Sequence, residues 1–320
     1  MAICTVFKII IMLHLLCFAM SRKNTRKIVI DTDPGGDDAL ALMLALKYED
    51  VDIQGITVTY GNTNLENVKR NLLKILTIAE RTIPVYVGSC KPLINDYKPD
   101  YYFGCDGFGD FNFTENITAK IDTSKPAAVF LVDLVKQNPG KITVITLGPL
   151  TTIATAIALE PKFLHLTKQH IIMGGSLDSN KIEFNFKQDP ESNWIALNNT
   201  DKPSIIVPID TVQSHAFSKD ERKNLFNGLN KSIANFLHNA ERKALEQSDM
   251  WQPADSIAVA IALHPKIIMR SFDTNLIPVL TGDARGSLVT DSNSQIHNAR
   301  VIEYFDKARF KRLLLKYLSK

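Results

Sequence analysis

The stretch from Lys27 to Leu46, KIVIDTDPGGDDALALMLAL, constrains the fold more than any other part of this chain. It opens with apolar, β-branched residues typical of a buried parallel strand, and Ala39–Leu46 is helix-forming and apolar nearly all round. A Pro-Gly-Gly turn separates the two segments. We therefore expect its acids where strand becomes helix, at the sheet edge where open α/β folds bind ligands. These acids are Asp31, Asp33, Asp37 and Asp38.

The residues leave two interpretations of these acids open. Carboxylates crowded within a few ångströms raise one another's pKa unless a cation lies among them. Carboxylate oxygens without His or Cys suit Ca²⁺ or Mg²⁺ better than zinc. Alternatively, no metal is bound: the helix dipole stabilises Asp37 and Asp38 at the helix N-terminus, and the acids are solvated. The crowding favours the metal site.

The order of elements predicts the fold class. Strands alternate with helices, which predicts an α/β fold with a Rossmann-like open, mainly parallel sheet flanked by helices. The run GDARG between two apolar stretches in Asn275–Asp291 predicts a C-terminal antiparallel hairpin. With 320 residues and 45% hydrophobic composition, we predict a single domain over residues 27–320. A net charge of +3 does not indicate a nucleic-acid partner.

Individual elements follow from periodicity and turn residues. The predicted strands are Lys27–Ile30, Asp52–Tyr60, Ile83–Gly88, Ile142–Leu147, His170–Met173 and Ser204–Ile209. The predicted helices include Leu65–Ala79, Ala127–Lys136, Thr151–Leu159, Leu225–Gln247 and Asp306–Leu318. Between them, the loop Cys90–Asn112 carries YYFGCDGFGD and is interpreted as a ligand lid or as a packed surface loop.

The first 20 residues predict export. A 12-residue apolar run, Ile9–Met20, follows Lys8 and precedes a basic segment, as in a signal peptide cleaved between Ala19 and Ser21. An uncleaved anchor is the alternative. The mature chain would keep Cys90 and Cys105, either as a disulfide or as buried free thiols. Asn-X-Ser/Thr sequons, consistent with a secreted glycoprotein that has no membrane segment, begin at Asn112, Asn116, Asn198 and Asn230.

Several motifs together resemble the inosine-uridine preferring nucleoside hydrolases. They are DTDPGGDD, GITVTYGNTNLENVKRN, TLGPLTTIA, MGGS, EFNF and ADSIAVAIAL, in the order and with roughly the spacing of that family. The resemblance covers nearly the whole chain from Lys27 to the hairpin, and is nearer to the secreted purine nucleosidases of animals. It implies hydrolysis of the N-glycosidic bond of ribonucleosides, a tightly held Ca²⁺, and a dimeric or tetrameric homo-oligomer.

The resemblance also implies residue roles. Asp33 matches the acid that contacts calcium and takes the proton of the attacking water, and Asp31 matches a supporting acid. The other metal ligands match Asp38, Asp255 and the backbone carbonyl of Leu147. The ribose 2′- and 3′-hydroxyl contacts match Asp37, Asn62 and Asn185. Contacts near the 5′-hydroxyl match Asn180 and Glu183.

Two positions depart from the family pattern. Some members carry His before the acid at Asp255 and a second His in the base-side loop; here these positions are Ala254 and Phe103. Stacking on aromatic rings would make a purine easier to protonate, and large rings stack best, so we expect preference for purine nucleosides. The candidate rings are Tyr102, Phe103 and Trp251, whose alternative role is to fill the core.

Two other functions compete with this interpretation. The run VIDTD resembles a haloacid-dehalogenase phosphohydrolase, with Asp31 as nucleophile, Asp33 as acid and Mg²⁺ as metal. A secreted nucleoside-binding protein that lost turnover with the missing His residues is the second alternative. Intact Asp33, Asp38 and Asp255 argue against a pure binder, because binding alone needs no base.

Overall fold

The structure is a computed structural model that describes residues 25–178, 180–198 and 202–320. The predicted signal peptide, residues 1–20, lies outside these ranges. Among the helices within them, none combines the length and the apolar character that crossing a membrane requires.

A nine-stranded sheet forms the centre of the molecule, in the order β10-β9-β11-β6-β5-β4-β1-β2-β3. Within it β9 runs antiparallel to β10 and β11, and the other neighbouring strands are parallel. β7 and β8 pair separately as a short antiparallel ribbon. The strands are β1 Arg26–Thr32, β2 Val51–Val58, β3 Val85–Val87, β4 Ile142–Thr146, β5 Gln169–Met173, β6 Ser204–Val207, β7 Phe217–Ser218, β8 Met250–Trp251, β9 Ile268–Pro278, β10 Leu288–Asp291 and β11 Ala299–Phe305.

Helices flank this sheet, which confirms the predicted fold class and the C-terminal hairpin. They are α1 Gly36–Lys47, α2 Leu65–Ala79, α3 Ala127–Gln137, α4 Thr151–Leu159, α5 Phe163–Leu166, α6 Phe184–Gln188, α7 Pro190–Leu197, α8 Ile209–Ser214, α9 Lys219–Phe226, α10 Lys231–Gln247, α11 Ala254–Leu263 and α12 Lys307–Leu318. A 3₁₀ turn, Pro265–Ile267, follows α11.

The first strand and helix lie at the centre of the core, as their composition predicts. Val29 and Ile30 of β1 are fully buried, and α1 is buried on nearly every side because α2, α10, α11 and α12 all contact it. Each fully buried leucine in α1 contributes roughly 2 kcal/mol through the hydrophobic effect. The loop between β1 and α1 is therefore held by two rigid elements.

Two local predictions need correction, and one strand was not predicted. The predicted helix Leu225–Gln247 is two helices, because the side chain of Asn230 caps α10 by accepting from the backbone of Ser232 and Ile233. The predicted strand Ser204–Ile209 ends at Val207, since Pro208 precedes α8. Strand β11 was not predicted, because exposed Arg300 interrupts its apolar pattern.

The two cysteines of the described chain correct a further expectation. Cys90 and Cys105 are both free, and both are exposed. Neither the disulfide nor the pair of buried thiols describes them. Both lie in the long segment between β3 and α3, where residues at the loop surface need no apolar partner.

Candidate active site

Four distant segments meet at the carboxyl edge of the sheet. Asp33 follows β1, Asn62 follows β2 and Leu147 follows β4, and Asp255 lies in the first turn of α11. The parallel arrangement of β2, β1 and β4 brings the ends of these strands side by side. The predicted cluster is thus completed by a residue more than two hundred positions further along the chain.

The acids of this edge are close enough to share one ion. Carboxylate oxygens of Asp37, Asp38 and Asp255 lie within 4.8 Å of one another. The backbone N–H of Gly35 donates to Asp38 Oδ2 at 2.8 Å, and the Thr32 hydroxyl donates to Asp38 Oδ1. These bonds hold Asp38 in one orientation. We call Asp33, Asp37, Asp38 and Asp255 the acidic cluster.

The Asp33 carboxylate is closely enclosed by backbone on two sides. Its Oδ2 accepts from the backbone N–H of Asn62 at 2.7 Å, whereas its buried Oδ1 has no hydrogen-bond partner. A Cβ at Gly61 would lie 1.9 Å from Asp33 Oδ2, and one at Gly148 would lie 2.4 Å from Oδ1. Both positions therefore require glycine for the carboxylate to fit.

Burial raises the pKa of every member of the acidic cluster, and repulsion between carboxylates adds to the shift for Asp33, Asp37 and Asp255. For Asp33 burial is the main cause of the raised pKa, followed by the charge of Asp38. The pKa of Asp255 is raised by burial and then by the charges of Asp37, Asp38 and Asp33. For Asp37 the causes are burial, then Asp38 and Glu241. Burial also raises the pKa of Asp38, although its hydrogen bonds oppose this shift.

A cation fits this arrangement. Among the described residues, no Lys or Arg forms a salt bridge with the acidic cluster. Its donor atoms are oxygens, and no His or Cys is among the residues lining the adjacent cavity. Together with the unpaired Asp33 Oδ1, this donor set suits a hard divalent ion such as Ca²⁺ or Mg²⁺. The set within 4.8 Å contains Asp37, a predicted ribose contact, rather than Asp33.

A cavity of about 300 Å³ opens beside the acidic cluster, and we call it the main cavity. Sequence reasoning singled out eight of its lining residues, namely Asp37, Asn62, Tyr102, Phe103, Leu147, Glu183, Asn185 and Asp255. Ala254 also lines the main cavity, so the position at which some family members carry His lies in the cavity wall. The lining residues that received no role are Asp100, Met173, Phe184, Ile209 and Gln252.

Glu183 and Asn185 fix one wall of the main cavity. The Glu183 carboxylate accepts from the backbone N–H groups of Gly175, Asn185 and Phe186, each at 3.0 Å, and so caps α6. The Asn185 amide donates to the carbonyl of Leu147 at 2.6 Å and to that of Met173 at 3.2 Å. A carbonyl oxygen has two lone pairs, so Leu147 retains one for another partner.

Asn180 and Trp251, two predicted substrate contacts, do not line the main cavity, and the predicted metal ligands Asp33 and Asp38 are not among its lining residues either. Asn180 is exposed, and its backbone N–H donates to Asp178. Trp251 is 4% exposed and packs against Phe217 and Phe226, with ring centroids 5.3 and 5.7 Å away. Its pairing in β8 turns it into the core, where it borders a small neighbouring cavity of about 20 Å³.

Asp31 lies behind the acidic cluster, in β1. It is fully buried, and the Thr57 hydroxyl donates to its Oδ1 at 2.5 Å while Oδ2 has no partner. Burial raises the pKa of Asp31 to about 7, and the hydrogen bond opposes part of the shift. Asp31 is not among the residues that line the main cavity, and its supporting role stays a prediction.

The aromatic segment of the long loop is anchored rather than free. Arg242 of α10 donates to the carbonyls of Gly109 and Asp110, and Gln247 donates to that of Tyr102 at 2.9 Å. Phe103 is 7% exposed and lies against Gly36 of α1. Of the two interpretations of this loop, a packed loop that lends Tyr102 and Phe103 to the cavity wall describes this segment better than a lid.

Comparison with known proteins identifies the family. The model of the inosine-uridine preferring nucleoside hydrolases matches residues 28–312, so this chain belongs to that family. The haloacid-dehalogenase alternative is therefore wrong as a family assignment.

The similar proteins carry different substrate names. The chain is 41% identical over 182 residues to "Probable uridine nucleosidase 2" of Arabidopsis thaliana. The matched region covers 54% of this chain and 56% of the plant protein. The match thus spans about half the length of such curated relatives. Among solved structures, an "Inosine-Guanosine Nucleoside Hydrolase" has a TM-score of 0.84 at 27% identity, covering 92% of this chain and 98% of its own. A plant nucleoside hydrolase reaches 0.83 at 25% identity, covering 92% and 99%.

Proposed function

We propose that this chain hydrolyses the N-glycosidic bond of ribonucleosides with the help of Ca²⁺, releasing ribose and the free base. The observation that carries the proposal is Asp33, a buried carboxylate with one unpaired oxygen, whose other oxygen accepts from the backbone N–H of Asn62 in the wall of the main cavity. An acid in this state is suited to accept a proton from water. Family membership and the two solved nucleoside hydrolases support the same reaction.

In the proposed reaction a water oxygen attacks C1 of the ribose while the bond from C1 to the base nitrogen breaks. Asp33 takes a proton from that water. Bound calcium, with Asp33, Asp38, Asp255 and the Leu147 carbonyl as ligands, would supply positive charge that lowers the pKa of the water. The neighbouring carboxylates stabilise the positive charge that develops on the sugar.

The sugar would be positioned by the polar side chains of the main cavity. Asp37, Asn62 and Asn185 line it and are proposed to hold the 2′- and 3′-hydroxyls, with Glu183 near the 5′-hydroxyl. Contacts to these non-reacting atoms orient C1 against the water and so contribute to the rate. Asn180, which is exposed and outside the cavity lining, is proposed as a further 5′ contact from the resemblance alone.

We propose that purine nucleosides are preferred. Tyr102 and Phe103 line the main cavity and their rings meet edge to face at 4.9 Å, so they can flank a large base. The names of the similar proteins divide between uridine and inosine-guanosine, so they do not decide the choice.

A substrate panel tests the activity, the metal and the base preference together. Inosine, guanosine, adenosine, uridine and cytidine are incubated with the protein, and ribose and free base are quantified after chelation and after Ca²⁺ is restored. We expect ribose release only with Ca²⁺ present and faster release from purines. Uridine as the best substrate would overturn the purine preference alone. A folded, calcium-loaded protein that binds nucleosides but releases no ribose would overturn hydrolysis in favour of a binding protein.

We also propose that residues 27–320 form one domain that is secreted after cleavage between Ala19 and Ser21. The apolar run of the leader and the exposed sequon residues Asn112, Asn116 and Asn198 support this. Expression in secreting cells, with N-terminal sequencing and glycosidase treatment of the medium, tests it. A protein retained in membranes with its leader intact would instead be anchored. A dimer or tetramer, proposed from the resemblance, is tested by light scattering.

A further inference from the structure

This inference rests on the proposed function and concerns how the base leaves. As the glycosidic bond breaks, its electron pair moves onto the base, and a neutral or protonated base leaves more readily than an anion. The residue before Asp255 is Ala254, whose methyl group in the cavity wall can donate no hydrogen bond. Another group must therefore stabilise the departing base.

The acids of the wall are engaged as acceptors. The Asp100 carboxylate accepts from the backbone N–H of Tyr102 at 3.0 Å, and Glu183 accepts from three backbone N–H groups. Asp37 and Asp255 belong to the acidic cluster, where a cation is expected. None of these four is arranged to donate a proton to a base.

Most neutral donors of the wall are also engaged. The Asn62 amide donates to the Asp33 carbonyl and to Asp38, and the Asn185 amide donates to two backbone carbonyls. Among the described residues of the cavity wall, two side-chain donors form no hydrogen bond within the protein. These are the amide of Gln252 and the hydroxyl of Tyr102.

Gln252 is the better placed of the two. Its neighbours in the chain are Trp251, which is buried and paired in β8, and Pro253. The backbone carbonyl of Gln252 accepts from the backbone N–H of Ala254 at 2.8 Å. The chain thus fixes it three residues before Asp255. Tyr102, in contrast, is 37% exposed, and its ring is already required for stacking.

We propose that Gln252 donates a hydrogen bond from its side-chain amide to the departing base. The bond strengthens as electron density moves onto the ring nitrogens and carbonyl of the base, so it stabilises the transition state more than bound substrate. No proton is transferred to or from the amide, and the base takes its final proton from water. Gln252 lines both the main cavity and the small cavity bordered by Tyr102, Phe103 and Trp251, at the side assigned to the base.

Two substrates with different leaving groups test the proposal. Inosine needs help for its base to leave, whereas the nitrophenolate of p-nitrophenyl β-D-ribofuranoside is stable as an anion. We expect Gln252→Ala to lower kcat for inosine by about 100-fold, the scale of losing one transition-state hydrogen bond. For the nitrophenyl riboside we expect a change of less than about 3-fold, within the effect of a lost neutral contact.

The design carries its own controls. Retained cleavage of the nitrophenyl riboside shows that the variant is folded and loaded with metal. Gln252→Glu, which keeps the size but loses the donor, should behave like Gln252→Ala, and exposed Gln137→Ala at the end of α3 should match the wild type on both substrates.

Three outcomes would contradict the proposal or its basis, and they are distinguishable. If Gln252→Ala slows both substrates equally, Gln252 acts in positioning rather than on the leaving group. If it slows neither, Gln252 has no part in the reaction. If the wild type cleaves neither substrate, the proposed hydrolysis itself fails, whatever the role of Gln252.

Discussion

Two groups of buried charge lie almost side by side in this protein and are built differently. In the acidic cluster no cation from the described chain offsets the carboxylates, and the pKa of each is raised. Across the small cavity, Arg222 and Glu241 are 5% and 3% exposed and pair with each other at 2.5 Å. Glu241 also accepts from the indole N–H of Trp251 at 2.9 Å, and the Arg222 guanidinium lies 3.7 Å from the centroid of Phe226.

The contrast separates function from structure. Charges that satisfy one another within the chain need no ligand, and the Arg222–Glu241 pair accordingly holds α9, α10 and β8 together. Charges left unsatisfied raise the free energy of the metal-free protein and are relieved by an ion. Unpaired burial, rather than burial alone, therefore indicates a binding site.

The largest effect is expected at Asp33. Asp33→Asn should lower kcat for inosine by about 1,000-fold or more, because the amide cannot accept the proton of the attacking water. The measurement is steady-state kinetics at saturating Ca²⁺, with circular dichroism and thermal unfolding showing that the fold is kept. Near-normal turnover in this variant would remove Asp33 from its role as base.

The second prediction breaks the satisfied pair. Glu241→Ala should lower the free energy of unfolding by about 3 kcal/mol, since it leaves the Arg222 guanidinium buried without a partner. The double variant Arg222→Met with Glu241→Leu is the control and should be much less destabilised. Equal destabilisation of the single and double variants would mean that packing, not charge, is what the pair contributes. Urea unfolding measures both.

The third prediction concerns Ca²⁺ binding to the acidic cluster. Ca²⁺ at about 100 times its dissociation constant should stabilise the metal-free protein by about 2.7 kcal/mol, because the ion binds only the folded cluster. Asp255→Asn should remove most of this stabilisation by Ca²⁺. It should not change the destabilisation that Glu241→Ala causes. Thermal unfolding during titration measures it, and stabilisation by Zn²⁺ in preference to Ca²⁺ would contradict the oxygen-ligand assignment.

The smallest effect concerns a buried group that avoids charge altogether. His170 in β5 lies between the hydroxyls of Thr146 and Ser204, at 2.9 and 3.2 Å, and burial lowers its pKa to about 3. Below the unfolded pKa near 6.5, the unfolded chain binds a proton that the folded protein does not, so stability falls as pH falls from about 6.5 towards 3. At pH 5.5 the loss from this group is roughly 1 kcal/mol.

His170→Asn isolates that term. Urea unfolding of wild type and variant at pH 7.5 and 5.5, at constant Ca²⁺, should show the variant losing less stability between the two pH values. The same loss in both proteins would mean that His170 is protonated in the folded state.

The sequence by itself determined the elements and the chemistry of the opening loop. Strand, turn and helix at Lys27–Leu46 follow from local composition, because a buried parallel strand and a buried helix both require apolar residues. Leu65–Ala79 and Thr151–Leu159 have the predicted bounds for the same reason. Four acids at one turn indicated a cation, because carboxylates held close together repel one another whatever their exact geometry.

Only the tertiary structure decided which distant residues complete the site. Glycine is required at positions 61 and 148 because the Asp33 carboxylate lies between them. These contacts join residues that follow three different strands, and no local pattern encodes them. Trp251 appeared suited to stacking, yet its pairing in β8 and its bond to Glu241 turn it into the core. Gln252 carries no periodic signal, and its unpaired amide became visible only when β8 and α11 placed it in the cavity wall. Side-chain partners arise from packing between remote segments, which periodicity within a segment does not specify.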